Sequence, residues 1–476
     1  MTSAAVVGSG PNGLAAAITL ARAGVEVTVL EANDTPGGGT RSVEATLPGL
    51  LHDECSGFHP LAVDTAFSRV AGLEASGLEW AWPTVQYSHP LDGGRGAAVV
   101  RSVAETAAGL GADEGSYRHL FGALDDRFDA IAVEFLQPVL HVPRHPFALA
   151  RFGAYSLLPA GTLARRFVTP EARALWAGVA AHAFRPFTAP LSSAIGLALG
   201  TAAHHAGWPV AVGGSRAISD AMIRVLERFG GRIETGVRVA SLDDCRRDLG
   251  ADLVLLDTSP SAAVRIAGDR LPARVRCAYE RYRHGPAAFQ VAFAVEGGIP
   301  WTHEPSRRAG TVHVGGSFQE VAAAERDVAR GRMPERPFVL LGQQYLADPG
   351  RSAGDVHPVD AYAHVPAGYT GDATEAITAQ IERFAPGFRD RIRATTRRST
   401  ATIAADNHNY VGGDIVTGLN SARQLLLRPR ATTNPYATGI DGVYLCSAAT
   451  PPGAGAHGMC GHLAARAALA GLVSSR

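Results

Sequence analysis

The chain has 476 residues, of which 46% are hydrophobic and 18% charged, a composition typical of a globular protein with a large core. This length indicates either more than one domain or one large interleaved domain. Lys plus Arg and Asp plus Glu both number 44, so no bulk field attracts nucleic acid or an anionic membrane, and we expect no nucleic-acid partner.

The sequence gives little indication of a targeting segment, a membrane span or paired cysteines. The N-terminus enters a strand almost at once, without a basic or apolar leader, so we expect no signal peptide and a cytoplasmic location. The uncharged run 188–215 has too short an apolar part to cross a bilayer and predicts a buried helix. The five cysteines are scattered, odd in number and without CxxC spacing, which indicates a reducing compartment and no disulfide framework or zinc cluster.

The first forty residues carry the most informative pattern. An apolar run over 4–7 predicts a strand, and it breaks into Gly8-Ser9-Gly10-Pro11-Asn12-Gly13. A helix is predicted over 14–23, a second strand over 25–30, and Glu31 follows directly. This is the order of a dinucleotide-binding βαβ unit.

Each part of that unit has a physical role. Gly8 allows the tight turn, Gly10 lets the backbone approach a pyrophosphate, and Gly13 permits close helix packing. The helix N-terminus stabilises phosphate, and Glu31 can accept hydrogen bonds from a ribose diol. The predicted cofactor residues in this unit are Gly8, Gly10, Pro11, Asn12, Gly13, Glu31 and Ala32.

The segment Pro36–Ser42 (PGGGTRS) resembles the GGxxx[ST] sequence that follows the βαβ unit in two-dinucleotide-binding flavoproteins. The resemblance implies FAD, with Gly37, Gly38 and Arg41 close to the pyrophosphate and ribityl chain. Gly39 stands where many relatives have arginine, so Arg41 is expected to carry the charge alone. Gly39 and Ser42 complete this part of the predicted site.

Residues 47–60 stand where phytoene-desaturase-like flavoproteins have a GFxFDxGPT-type segment beside the isoalloxazine. Asp53 fits that pattern, whereas Cys55 and His52 depart from it. We interpret Cys55 as a small buried residue rather than a reactive thiol.

Over residues 76–205 the sequence pattern changes to a mixture of apolar helical segments. The segment Phe135–Phe167 is apolar with four interspersed arginines. It is interpreted as a surface helical hairpin, with two alternatives left open: a lid over an apolar substrate tunnel, or a surface that contacts a membrane or a partner.

After residue 207 the chain is expected to return to the dinucleotide-binding domain. A helix is predicted over 217–229 and strands over 232–239 and 252–257. Val239 and Leu242 match the Vxx[IL] element of the amine oxidase and phytoene desaturase superfamily, which implies that the Val239 backbone pairs with adenine.

Residues 270–430 predict a mostly antiparallel sheet that forms the wall of a substrate pocket. Strands are predicted over 289–295 and 338–345, a strand is expected to end at 362–366, and a helix is predicted over 373–384.

The C-terminal stretch carries the second pattern that is informative about the cofactor. A strand over 442–450 runs into a glycine-rich loop, and a helix follows over 462–472. This resembles the last FAD motif of the same superfamily, whose helix N-terminus stabilises the charge on a reduced flavin. The resemblance assigns Ala448, Ala449, Gly458 and Met459 to the cofactor site.

Taken together, the chain resembles a phytoene desaturase-like FAD-dependent oxidoreductase, in a branch similar to the pyridine nucleotide-disulphide oxidoreductase domain-containing protein type two. The segments Asp406–Asp414, Gln424–Pro429 and Tyr444–Gly461 carry this resemblance. It implies an α/β fold in which a glutathione-reductase-type FAD domain (1–75, 207–268, 431–476) is interleaved with an α+β substrate domain (76–206, 269–430). No second GxGxxG is visible, which favours reoxidation by dioxygen or a quinone-like acceptor.

Three functions remain open. The first is removal of hydride from an apolar or medium-sized, isoprenoid-like substrate to form C=C, the second is amine oxidation to C=N, and the third is a non-catalytic flavin-holding scaffold. The FAD is expected to be non-covalent. His364, His457 and Tyr345 are the candidate catalytic residues, each with a structural alternative. No metal is expected.

Overall fold

The structure is a computed structural model that describes residues 2–247 and 249–474. Its strands are, in chain order, β1 Ser3–Val7, β2 Glu26–Leu30, β3 Ser42–Val43, β4 His52–Asp53, β5 Trp80–Ala81, β6 Val85–Pro90, β7 Gly96–Val99, β8 Val210–Ala211, β9 Arg232–Glu234, β10 Leu253–Leu256, β11 Ala287–Glu296, β12 Ala309–Val314, β13 Val339–Gly342, β14 Val356–Val365, β15 Ile392–Arg398 and β16 Val443–Leu445.

The α-helices of the same residues are α1 Pro11–Arg22, α2 Ala66–Ala71, α3 Val103–Ala108, α4 Glu114–Tyr117, α5 Ala123–Asp125, α6 Phe128–Phe135, α7 Pro146–Ser156, α8 Ala160–Leu163, α9 Pro170–Ala181, α10 Ala194–His205, α11 Arg216–Arg228, α12 Leu242–Arg246, α13 Pro260–Ala267, α14 Ala273–Glu280, α15 Phe318–Ala329, α16 Thr374–Phe384, α17 Phe388–Arg391, α18 Thr400–Asp406, α19 Ala422–Leu427 and α20 Met459–Ser474.

A parallel five-stranded sheet, in the order β16-β10-β1-β2-β9, forms the first layer of the fold. Ala4 and Val6 of β1 face a core that includes α1, α11 and α20, while Ala5 and Val7 face a second core built on α12, α13 and α14. Because both faces are covered, the central strands β1 and β10 are apolar apart from Ser3, whereas the edge strand β9 contains Arg232 and Glu234. All five strands come from the ranges predicted for the FAD-binding part of the chain.

Small residues let α20 approach α1 closely. A Cβ at Gly461 would overlap the Asn12 carbonyl, and a Cβ at Gly458 would lie 2.6 Å from Phe67 Cδ1 and 2.9 Å from Ala15 Cβ. The glycines near residue 460 therefore serve helix packing against α1 and α2. The resemblance had assigned Gly458 to the cofactor site.

A mostly antiparallel seven-stranded sheet, in the order β15-β11-β14-β13-β12-β6-β7, forms the second layer. Only β6 and β12 pair in parallel among its described strands. One face packs on α16 and α17 through residues such as Phe293, Val339 and Ile377. Alternate residues of β11, β13 and β14 point to the opposite face, towards the parallel sheet.

The predicted elements agree with the structure at β1, β2, α11, β11 and α16. The first helix begins at Pro11 rather than at residue 14, and the strand predicted over 442–450 is limited to Val443–Leu445. Three further predictions need correction. The strand predicted over 232–239 ends at Glu234, because the chain then turns across the end of β2. There Gly236 N–H donates to the Asn33 carbonyl and Val237 N–H donates to the Glu31 carbonyl. The strand predicted over 338–345 ends at Gly342 and continues as a 3-10 turn. The last helix begins at Met459 rather than at His462.

The buried helix predicted within 188–215 is α10, whose residues are mostly buried. Over residues 2–247 and 249–474, no helix is both long enough and apolar enough to cross a bilayer.

Candidate functional site

A cavity of about 1080 Å³ lies between the carboxyl ends of the parallel strands and the antiparallel sheet. Val7, Leu30, Asp257 and Ser447, at or just beyond the ends of β1, β2, β10 and β16, line one end of it. Ligands of open α/β sheets bind at this edge. The antiparallel sheet contributes alternate residues to the wall: Gln290, Ala292, Leu340, Gly342, Asp360, Tyr362, Thr396 and Arg398.

The glycine loop lines the cavity, and its glycines are closely packed against neighbouring residues. A Cβ at Gly10 would lie 2.8 Å from Asp257 Oδ2, and a Cβ at Gly38 would lie 2.9 Å from the Gly10 Cα. No side chain caps α1 at Gly10, and the buried Asn12 Oδ1 has no hydrogen-bond partner in the described part of the chain. A helix N-terminus without a cap from its own N-cap residue is the arrangement expected where a pyrophosphate lies, and the Asn12 amide can contact such an anion only through its NH₂ group.

Asp257 was not predicted from the sequence, yet it lies against the glycine loop. Its Oδ2 accepts the Gly13 N–H at 2.9 Å, so this amide of the first helical turn already has a protein partner. Burial raises the pKa of Asp257 to about 7, and the nearby Glu31 charge adds to the rise. Asn409 fixes the strand end by donating to the Asp257 carbonyl and accepting from Ser259 N–H.

Glu31 lies in the cavity wall and is buried. Its Oε2 accepts from the backbone and hydroxyl of Ser9, at 2.9 and 2.6 Å, and its Oε1 accepts from the backbone and side chain of Asn33, at 2.9 and 3.1 Å. The carboxylate therefore ties the glycine loop to the end of β2.

The residues from Val237 to Ala240, including Val239, line the cavity next to Glu31. Val237 N–H donates to the Glu31 carbonyl at 2.8 Å, which holds this stretch along the cavity. Leu242, the other residue of the Vxx[IL] element, points into the core as the first residue of α12.

The segment after β2 divides between the cavity and the protein interior. Gly38 and Gly39 line the cavity, whereas Gly37, Arg41 and Ser42 lie behind its wall. Arg41 Nε donates to Glu54 at 2.7 Å, so a carboxylate already balances its charge. Ser42 donates its hydroxyl to Asp53 Oδ1 at 2.7 Å.

Asp53 anchors this wall through a buried ion pair. Its Oδ2 accepts from Arg351 at 2.6 Å, and both side chains are about 1% exposed. Burial alone would raise the pKa of Asp53, but Arg351, Ser215 and Ser42 lower it below its ordinary value. An aspartate held ionised in this way fixes the relative positions of β4, α11 and the antiparallel sheet.

At the C-terminal motif, Ala448, Ala449 and His457 line the cavity, whereas Gly458 and Met459 lie behind it. His457 Nδ1 accepts the Met459 N–H at 3.1 Å and so caps α20. The cap acts here because α20 begins at Met459, three residues before the predicted start. Burial lowers the pKa of His457 to about 4, which keeps the ring neutral and able to accept.

Two of the three candidate catalytic residues lie outside the cavity wall. His364 is fully buried, pairs with Glu325 at 2.6 Å and stacks on Phe184 with centroids 3.7 Å apart. Tyr345 stacks on His357 at 4.3 Å within the core behind the sheet, and burial raises its pKa to about 12. Among the three, only His457 reaches the cavity.

The far end of the cavity is apolar and is formed mainly by α6, α7, α10 and the residues around 415–426. Its wall includes Phe135, Leu136, Val139, Leu149, Phe152, Leu157, Leu191, Ile195, Leu199, Trp208, Ile415, Val416, Leu425 and Leu426. We name this part the apolar chamber. His182 is a polar residue in its wall that sequence reasoning missed.

The missed residues share one property. Asp257, Asn409, Arg398, Tyr362 and His182 come from segments far apart in the chain, and each lies in the cavity because the two sheets face each other. Only the segment Asp406–Asp414, already quoted for the resemblance, offered a signal for Asn409.

Comparisons with known proteins support this description. A family model described as an NAD(P)-binding Rossmann-like domain matches residues 6–69. The hydroxyneurosporene desaturase of Cereibacter sphaeroides is 60% identical over 45 residues, which are 10% of this chain and 8% of that protein.

Solved structures are similar over almost the whole chain. An oxidoreductase from Methanosarcina mazei has a TM-score of 0.60 at 14% identity, covering 98% of this chain and all of that chain. Wild-type putrescine oxidase bound to putrescine has a TM-score of 0.60 at 16% identity, covering 100% and 99%. These similarities confirm the predicted α/β fold with its mostly antiparallel second sheet.

Proposed function

We propose that the protein is an FAD-dependent oxidoreductase that removes hydride from a lipophilic substrate. The observation that carries this proposal is the continuity of the cavity from the glycine loop to the apolar chamber. A volume of about 1080 Å³ exceeds what a drug-sized ligand alone needs, so it has room for a dinucleotide and a second molecule.

The residues present fit FAD. Glu31 would hold the ribose, the loop from Gly8 to Asn12 the pyrophosphate, and 237–240 the adenine, while Ala448, Ala449 and 454–457 would face the isoalloxazine. When bound, FAD supplies a hydride acceptor. Burial raises the pKa of Cys55, which lines the cavity, and raises that of Cys460 to about 12, and thiols held protonated in this way favour non-covalent binding. Cysteines that stay reduced also fit a cytoplasmic location.

The protein's own contribution is orientation and exclusion of water. Tyr362, Leu340 and Ala292 on the sheet and Phe152 and Leu191 opposite form walls that a hydrocarbon skeleton would contact. Bringing a substrate carbon to a fixed position in such a chamber lowers the barrier by orientation. Dioxygen or a quinone-like acceptor is the proposed oxidant for the reduced cofactor.

The charges of the wall favour a neutral substrate over a cationic amine. Glu134 accepts from His141 at 2.5 Å and from His145 N–H at 2.7 Å, and Asp360 accepts from His52 and Gln344. With Asp53 and Glu54 paired to arginines, these carboxylates already have partners. Amine oxidation remains the second candidate because the fold is that of putrescine oxidase.

We further propose that substrate reaches the chamber from an anionic membrane surface. Val142 and Phe147 are 90% and 88% exposed, and Leu140 and Leu157 are at least half exposed. Val139 and Leu157 also line the cavity, so the chamber opens at this surface. The segment 135–167 has four arginines, all exposed, and no acidic residue, which complements anionic headgroups.

Anaerobic bleaching tests the function. Purified protein loaded with FAD is mixed with isoprenoid hydrocarbons, with lipophilic alcohols and with putrescine in the absence of oxygen. The proposal expects loss of the oxidised flavin spectrum with a lipophilic compound. Bleaching by putrescine alone would establish the amine oxidase alternative, and a flavin that no compound reduces while dithionite does would indicate a scaffold.

A further inference from the structure

Three histidines form a row that leads from the apolar chamber into the protein. His182 follows α9 and lies half-buried in the chamber wall, while His313 on β12 and His89 on β6 are fully buried. The Nε2 atoms of His182 and His313 are 2.9 Å apart, within hydrogen-bond distance. The function proposed above uses none of these residues.

Gly178 in α9 makes room for the inner end of this row. A Cβ at Gly178 would lie 2.7 Å from His313 Nδ1 and 2.7 Å from His89 Nδ1. Both nitrogens therefore point into the same notch, and neither has a hydrogen-bond partner within the residues that the structure describes. Each nitrogen therefore borders the space that a side chain at residue 178 would fill.

Hydrogen bonds fix the tautomer of each ring. His89 Nε2 lies 2.7 Å from the Gly316 carbonyl, which can only accept, so His89 carries its proton on Nε2. Burial lowers the pKa of His89 to about 4 and that of His182 to about 3, and it places the pKa of His313 well below the ordinary value. All three rings are therefore neutral at pH 7, and His89 Nδ1 presents a lone pair to the notch.

The positions of the protons on His313 and His182 follow from the tautomer of His89. Two lone pairs confined to one buried notch would repel, so we take His313 to carry its proton on Nδ1. Its Nε2 is then an acceptor, and His182 must donate to it from Nε2. A neutral imidazole has one proton, which leaves a lone pair on His182 Nδ1. That nitrogen takes no hydrogen bond from the described residues.

Resting on the function proposed above, we infer that His182 Nδ1 is a hydrogen-bond acceptor for the substrate and selects a lipophilic molecule that carries a hydroxyl group. The apolar walls bind the hydrocarbon skeleton, and the hydroxyl donates to His182. A molecule of the same size without a donor leaves this nitrogen unpartnered in an apolar chamber, which is unfavourable. Trp208, whose ring lies edge-on to His182 at 5.6 Å, keeps the imidazole in place.

Two isomeric probes test the inference on the FAD-loaded protein by calorimetric titration: 1-decanol, which has a donor, and methyl nonyl ether, which has none. Decanol is expected to bind about tenfold more tightly than the ether. Equal affinities would overturn the acceptor role and leave the lipophilic function standing. Binding of neither probe would contradict the lipophilic chamber itself, and with it this inference.

Two substitutions separate the nitrogens of His182. In His182→Gln the amide reaches the position of Nε2, so contact with His313 is kept and the preference for decanol should fall to about one. In His182→Asn the amide oxygen reaches the position of Nδ1, so most of the preference should remain. The opposite pattern would show that selectivity arises from the His313 contact and would overturn the inference.

A spectroscopic measurement on the unsubstituted protein determines the tautomers directly, and a variant serves only to assign the signals. In ¹⁵N-histidine-labelled FAD-loaded protein, His182 should show a protonated Nε2 and an unprotonated Nδ1, and His313 the reverse. Assignment comes from the loss of one signal set in His182→Gln. A protonated Nδ1 in His182 would make the residue a donor and would overturn the proposed selectivity.

Discussion

Asp257 Oδ2 accepts a hydrogen bond of 2.9 Å from Gly13 N–H, at the start of the helix that follows the glycine loop. A buried acid thus occupies part of the surface that receives a pyrophosphate in dinucleotide-binding folds. Its pKa is raised to about 7 by burial and by the Glu31 charge, so it changes its protonation near physiological pH. The cavity therefore contains a pH-sensitive group in contact with the loop.

Asp257→Asn should remove a pH dependence of stability. Between pH 4 and 7 the folded protein holds a proton at Asp257 that the unfolded chain has lost, so the free energy of unfolding falls as pH rises through this range. The asparagine variant keeps an acceptor for Gly13 but does not titrate. Between pH 5 and pH 8 the free energy of unfolding of the variant should rise by on the order of 2 kcal/mol relative to that of the native sequence.

Urea unfolding at both pH values measures this difference. Asp269→Asn serves as the control, since that aspartate is fully exposed. Parallel pH profiles for Asp257→Asn and the native protein would contradict the assignment of a raised pKa to Asp257.

Glu31→Ala should weaken FAD binding by roughly 10- to 100-fold, corresponding to about 1.5–3 kcal/mol for charge-assisted hydrogen bonds. The variant loses the acceptor for the ribose and also the contacts that hold Ser9 and Asn33. Equilibrium titration of the apoprotein with FAD gives the affinity. Glu26→Ala, which removes an exposed ion pair with Arg232 at the start of β2, should bind like the native protein. An unchanged affinity in Glu31→Ala would exclude the ribose role.

Gly461→Ala should destabilise the fold by 1–3 kcal/mol or more, because its Cβ would overlap the Asn12 carbonyl and push α20 away from α1. The matched control is Gly153→Ala, a substitution within α7 where a Cβ meets nothing within 4 Å. The control should be neutral or stabilising by about 0.5–1 kcal/mol. Thermal and urea unfolding compare the two, and equal stabilities would show that the helices do not pack as described.

Val142→Asp combined with Phe147→Asp should abolish most binding to vesicles that contain anionic lipid. Both side chains are almost fully exposed at the surface where the chamber opens, and the charges would oppose insertion and attract no headgroup. Co-sedimentation with anionic and with neutral vesicles gives the bound fraction. Val473→Asp is the control, since Val473 is 78% exposed outside this surface. Equal binding of both variants would contradict membrane docking through this segment.

The local sequence was sufficient to predict the βαβ unit because each step there depends on neighbours: an apolar strand, a glycine turn, an apolar helix and a second strand. The acceptor role of Glu31 follows from its position at a strand end. The same local reasoning misplaced the start of the last helix, since the cap supplied by His457 depends on how the loop 451–458 folds back.

The far end of the cavity could not be predicted in this way. His182, Trp208 and Leu191 lie together because α9 and α10 pack beside the antiparallel sheet, and no spacing in the sequence records that packing. His364 and Tyr345 belong to segments predicted as strands. His364 shares a face of β14 with the cavity residue Tyr362, but it lies further along the strand, where Phe184 and Glu325 cover it. Tyr345 lies in the 3-10 turn after β13, packed against His357.

The most direct test of the account is the cofactor content of the purified protein after acid precipitation. FAD held by the glycine loop, Glu31 and the 237–240 stretch without a covalent bond should appear in the supernatant at one molecule per chain. A flavin that stays with the precipitate would contradict non-covalent binding. Protein that is purified without flavin and does not bind added FAD would contradict the central claim that this cavity is an FAD site.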